Sequence, residues 1–189
     1  LFRSLVHDAV ELLTCEQLER PMLPPGFGTA KLSWGASPVH AHGPTTPTRI
    51  GDTRVLELAP EPRATELGSF TPPPGEYCAV RLSWSAADED AIGREAASVE
   101  MLGRSLWARA TPEGHTQGLE AWTEASFDVT LEFDEPLQLG DDEDVIAELV
   151  LRYRLKGSAQ GLRPDEEPEA RARVLLLELR ERVSVEVIR

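Results

Sequence analysis

The run Val145–Leu155, VIAELVLRYRL, alternates apolar and polar side chains through its whole length. Val145, Ala147, Leu149, Leu151, Tyr153 and Leu155 fall on one side of an extended chain, with Glu148, Arg152 and Arg154 on the other. A strand with one apolar face is stable only against a second layer, so this segment commits the chain to a sheet with a dry face. The segment ASFDVTLEF repeats the pattern with Phe127, Val129, Leu131 and Phe133 inward. The acidic turn LGDDED joins the two, which predicts antiparallel neighbours. EYCAVRLSW places Cys78, Val80, Leu82 and Trp84 on one face. Shorter strands are expected at Thr29–Trp34 and Thr53–Leu58, and a hairpin from ASVEML and SLWARA about Gly103-Arg104.

The two ends carry a different period. Leu1, Leu5, Ala9, Leu12, Leu13 and Leu18 recur at spacings near three and four, which predicts a helix over 1–20. PMLPPGFG stops it. Near the other end, Pro168 follows Asp165 and Glu166, as suits a first helical turn, and Ala172, Leu175, Leu176, Leu179 and Val183 make an apolar stripe. Val183, Val185 and Val187 then alternate as a closing strand. The expected architecture is one domain over 1–189: an N-terminal helix (1–20), an antiparallel β-sandwich (28–160), and a C-terminal helix with a closing strand (166–189). Strands and helices do not alternate, which argues against a nucleotide-binding parallel sheet.

Composition narrows the classes of partner. A 189-residue chain buries roughly 70% of its unfolded surface and folds without staples. Its net charge of −14 repels phosphate backbones and anionic lipid headgroups, so neither nucleic acid nor an acidic bilayer is an expected partner. A protein or small ligand is expected instead. No run approaches the roughly 18 apolar residues of a membrane span. Leu1 at the start fits a trimmed form, leaving room upstream for an export signal or a lipid anchor.

Few side chains offer chemistry. Cys15 and Cys78 are the only cysteines, too far apart in sequence for a CxxC redox centre or a thiolate metal site. Joined, they tie the N-terminal element to the sheet and imply an oxidising compartment, periplasmic or extracellular. Unjoined, they are two small apolar residues. In ASPVHAHGPTTPT, His40 and His42 stand at i and i+2, so on an extended strand both imidazoles point the same way. A copper or zinc ion held there needs a third donor, such as His115, His7 or a carboxylate. Without one, the pair is simply polar loop. The acidic runs ADEDA and GDDEDV lack the oxygen spacing and glycine of a calcium loop. Nucleophile-elbow, zincin and phosphate-loop motifs do not occur, so a non-catalytic protein is expected. Among four tryptophans, Trp122 and Trp107 are the candidates for stacking on a sugar ring or a partner surface.

TPPPGEYCAVRLSW resembles a turn-and-strand element of bacterial exported β-sandwich lipoproteins, the MbnP-like periplasmic proteins associated with copper handling. Pro74, Gly75, Tyr77, Val80 and Arg81 carry the likeness. It implies a periplasmic or envelope-surface, non-catalytic sandwich that binds copper through histidine beside an oxidisable tryptophan. Without metal, the expected role is that of a carbohydrate- or protein-binding module.

Overall fold

A computed structural model describes residues 2–19, 45–58, 64–97, 99–111, 118–140, 147–153 and 162–188. The elements in chain order are β1 (Phe2–Thr14), α1 (Cys15–Glu19), β2 (Arg49–Ile50), β3 (Arg54–Glu57), β4 (Gly75–Trp84), β5 (Leu106–Ala110), β6 (Leu119–Thr123), β7 (Phe127–Leu139), β8 (Glu148–Tyr153), α2 (Pro168–Arg182) and β9 (Val183–Ile188). Seven strands form one antiparallel sheet in the order β6-β5-β1-β4-β7, with β2 and β3 also on β1; β8 and β9 form a separate ladder. The described residues are mainly antiparallel β with two helices. The expected strand at Thr29–Trp34, with Trp34, lies outside the described residues.

The first correction concerns 1–20. This segment is not a helix but the strand β1 at the centre of the sheet, followed by the five-residue α1. Along one side β1 pairs with β5 through residues 2–5 and then with β4 through residues 7–14; along the other it pairs with β3 and β2. A strand covered on both faces reads as apolar residues in adjacent pairs, here Leu5-Val6, Ala9-Val10 and Leu12-Leu13, all buried. The helical spacing has its source in a β-bulge. The ladder with β4 runs His7↔Trp84 and then Ala9↔Ser83, leaving Asp8 as the extra residue. That step shifts the phase, so Leu5 and Val10 belong to the same apolar cluster and a spacing of three enters a strand of period two. Thr14 and Gln17 then start α1 with a reciprocal cap, each side chain accepting the other's backbone N–H at 3.2 and 2.8 Å.

A second bulge places the disulfide. On β4 the pairing passes from Tyr77 to Ala79 in both flanking ladders, skipping Cys78. The core face of β4 therefore reads Tyr77, Val80, Leu82, Trp84, and Cys78 is turned out of that row. It is bonded to Cys15 at the start of α1, with Cα atoms 4.8 Å apart.

One face of the large sheet is covered by α2 and the β8–β9 ladder. Leu5, Val10, Val80, Leu82, Trp84, Leu106, Phe127 and Val129 from the sheet meet Leu175, Leu176 and Leu179 from α2, with Leu151, Tyr153 and Val185 packed against them. Each such side chain fully buried contributes about 1.5–3 kcal/mol. The second layer is thus a helix beside two strands. Arg171 fixes α2 to the edge of the sheet: its guanidinium donates to the Glu166 and Glu120 carbonyl oxygens. The opposite face packs Val6, Val55 and Trp107 beneath Ala87, Ala91 and Met101, from the irregular chain between β4 and β5.

Two further expectations change. β8 pairs with β9, Leu149 opposite Val187 and Tyr153 opposite Val183, and not with β7. Stacked above the sheet, its Leu149, Leu151 and Tyr153 row is half-buried against the core; added in plane beside β7, that row would need another cover. ASVEML does not form a hairpin strand. Met101 is buried in the second cluster, and a turn closed by the Arg104 N–H donating to the Met101 carbonyl (2.8 Å) leads into β5, with Gly103 supplying φ +74°.

Candidate functional site

The bulge at Asp8 and the strand β8 bring together a polar group that the apolar core would otherwise exclude. His7 lies on the covered face of β1, opposite Trp84 of β4, and is 2% exposed. Tyr153, the last residue of β8, reaches down to it: the phenol oxygen lies 2.5 Å from His7 Nε2. The two rings meet edge to face at 5.9 Å, and His7 tilts against the Trp84 indole at 5.4 Å. Trp84 in turn stacks on Phe127 of β7 at 4.5 Å and 20°. Four strands therefore contribute one ring each.

Burial sets the chemistry of the group. It drives the His7 imidazole down from its ordinary range to about 3, with no compensating anion. It also drives the Tyr153 phenol far above its ordinary range, a shift the neighbouring Trp84 side chain opposes. The Trp84 N–H makes no hydrogen bond of full geometry, yet it stands beside the phenol oxygen. With that N–H facing the oxygen, we assign the Tyr153 hydroxyl as donor to Nε2, which leaves the neutral imidazole protonated at Nδ1. Nδ1 is buried and has no hydrogen-bond partner. Held neutral by burial, the imidazole is a weak base near pH 7.

Beside this group, His7 lines a shallow crevice with Ala9, Val10, Ile50, Asp52, Arg54 and Leu67. It has room for about one water molecule, far less than a small-molecule pocket needs. Arg54, the β3 residue paired with His7, donates to the Glu66 carbonyl at 3.1 Å.

The residues singled out from the sequence are placed unequally. His40, His42 and His115 lie outside the described residues. His7, offered as a third metal donor, has Nε2 occupied by Tyr153 and stands in the core. Among the described residues, no group of three or more histidine, cysteine, aspartate or glutamate side chains could hold a metal ion. Trp107 and Trp122 are cross-strand neighbours on β5 and β6. Trp107 is 7% exposed within the second core cluster, so its faces are not offered to a ligand. Trp122 is partly exposed, and the Arg104 guanidinium lies 5.5 Å from its ring centroid. Cys15 and Cys78 are joined as expected.

The His7–Tyr153 pair was not found from the sequence, although each half carried a signal. Tyr153 sits on the inward row of the most regular strand pattern, and His7 is the one ionisable residue with a pKa near neutrality in the apolar N-terminal segment. Among the described residues, no helix is long and apolar enough to cross a membrane. Comparison with family models, with characterised proteins and with solved structures returned no match.

Proposed function

We propose that the chain is an exported, non-catalytic binding protein of the bacterial envelope. The disulfide between Cys15 and Cys78 carries the reading. Such bonds persist where thiols are not kept reduced, in the periplasm or outside the cell. The neutral, enclosed His7 supports a role without acid–base chemistry. The closing of both layers into a sandwich, and kinship with the MbnP-like copper-associated proteins, belong to the same proposal. In it, His40 and His42 bind copper with His115 as third ligand. The experiment is alkylation with mass spectrometry on protein recovered from the periplasm and from the cytosol. A bonded pair is expected in the first, with a loss of thermal stability on adding reductant. Free thiols in both, with stability unchanged, would remove the proposal. Copper titration of the wild type against the double variant His40→Ala/His42→Ala tests the metal arm, where stoichiometric binding should vanish.

Trp122 favours a second reading. A partly exposed indole with a cation beside it suits a sugar ring or a partner side chain, so the chain would act as a carbohydrate- or protein-binding module without metal. Glycan binding abolished by Trp122→Ala, with copper uptake absent, would select this reading over the first.

A further inference from the structure

Among the described residues, the β8–β9 ladder has no backbone pairing with the large sheet; its strands pair with each other. It rests on the sheet through apolar side chains, among them Leu151 and Val185, and through the polar contact of Tyr153 with His7. We infer that this contact is an acid-sensitive latch: protonation of His7 releases the β8–β9 ladder from the sheet while the sheet itself stays folded.

The argument follows where the protons go. In the latched state the Tyr153 hydroxyl donates to Nε2. A proton added at Nε2 removes that acceptor, and the phenol hydrogen is then left without one, since the Trp84 N–H beside it is also a donor. The new imidazolium meets no anion. From β4 it faces the Trp84 indole and from β7 the stacked Phe127; from β8 it faces only the Tyr153 phenol. On β1 itself, the Asp8 carboxylate is engaged by the Thr53 hydroxyl at 2.9 Å. From β3 the residue paired with His7 is Arg54, a second cation, and Asp52 lines the same crevice. On β8 and β9, Arg152 and Glu186 pair with each other on the solvent side at 2.7 Å. A buried, uncompensated cation is expelled or hydrated, and the least costly way to hydrate this one is to lift the element that has no ladder bonds to break. Burial without a counter-charge accordingly lowers the His7 pKa to about 3.

Hydrogen exchange read by mass spectrometry or NMR tests the latch on the full chain. Once the released state gives His7 its ordinary affinity for a proton, opening grows up to tenfold per pH unit below about 6.5, on the order of 50–100-fold between pH 7 and 4.5. After correction for intrinsic exchange, amides of 148–153 and 183–188 should lose protection by that factor, while those of 79–84 in β4 keep theirs. His7→Gln, which cannot take up the proton, should show no such acid response. Where that variant does not fold, the imidazole of the wild type is titrated by NMR, and its midpoint should coincide with ladder opening. Protection independent of pH would overturn the latch. So would simultaneous loss from β4 and the ladder, or a His7 that titrates while the ladder stays protected.

Discussion

β1 and the β8–β9 ladder are held to the same sheet by different means. β1 shares backbone hydrogen bonds with β4 and β5 on one side and with β2 and β3 on the other, and the residue after it is bonded covalently to β4. Among the described residues, the strands of the β8–β9 ladder pair only with each other, and side-chain contacts hold the ladder to the sheet. The first kind of attachment fails only when the whole fold fails. The second can fail alone, because opening it exposes apolar surface and one polar contact but breaks no ladder. Global stability should therefore be set at the β1 end and local stability at the β8–β9 end.

The largest effect should come from cutting the covalent tie. Cys15 and Cys78 are 63 residues apart in sequence, and a loop of that size removes about 4 kcal/mol of chain entropy from the unfolded state. Cys15→Ala/Cys78→Ala should lower the free energy of unfolding by about that much in urea or heat. A loss below about 1 kcal/mol would show that the β1 ladders alone suffice, and the contrast between the two ends would shrink to hydrogen bonding.

Acid comes next, and here the sign matters. The folded His7 pKa of about 3 lies below the ordinary 6.5, so the fold favours the neutral ring and its contribution is complete above pH 6.5. As pH falls through the window from 6.5 to about 3, the unfolded chain takes up the proton first and stability drops by up to about 1.4 kcal/mol per unit. By pH 4.5 the wild type should have lost about 2–3 kcal/mol more than His7→Gln. Comparing the two removes the contribution of the acidic surface, which both share. Parallel pH profiles would mean that His7 is not closed off from solvent.

Tyr153→Phe keeps the ring and its packing and removes only the bond to Nε2. Leaving the imidazole acceptor buried and unmet should cost about 1–3 kcal/mol. The comparison predicts where that cost falls: faster exchange of the 148–153 amides at pH 7, with little change in β4. A loss spread evenly over both would show that the β8–β9 ladder and the sheet open together.

The same contrast governs what the sequence disclosed. β4, β7 and β8 each have one face toward the core and one toward solvent or a thinner cover, so their period of two survives in the residues, and so does the stripe of α2. β1 is covered on both faces and carries a bulge at Asp8; Leu5-Val6, Ala9-Val10 and Leu12-Leu13 then mimic a helix because burial no longer alternates. The partner of β8 was hidden for another reason. A regular strand announces which side is dry but not which strand lies beside it, and Val183–Ile188 proved the neighbour after a helix intervened. The disulfide was legible because two cysteines allow one pairing. The His7–Tyr153 contact was not, since its halves stand 146 residues apart and neither belongs to a motif.

The smallest expected effect tests whether polar contacts in the β8–β9 ladder matter by kind or by position. Arg152 donates through both Nε and Nη2 to Glu186, at 3.0 and 2.7 Å, across the β8–β9 ladder. The two side chains of this ion pair are about half exposed. Water and salt screen such a pair, and ordering two long side chains offsets much of the attraction, so Arg152→Ala should change stability by less than about 1 kcal/mol. The neighbouring Tyr153 faces the other way, and there one neutral hydrogen bond is expected to outweigh the ion pair because nothing else can satisfy Nε2 once it is broken. Exchange measured on both variants decides the point. If Arg152→Ala loosens the 148–153 amides as much as Tyr153→Phe does, the ladder owes its attachment to its own cross-strand pairing and not to the buried contact beneath it.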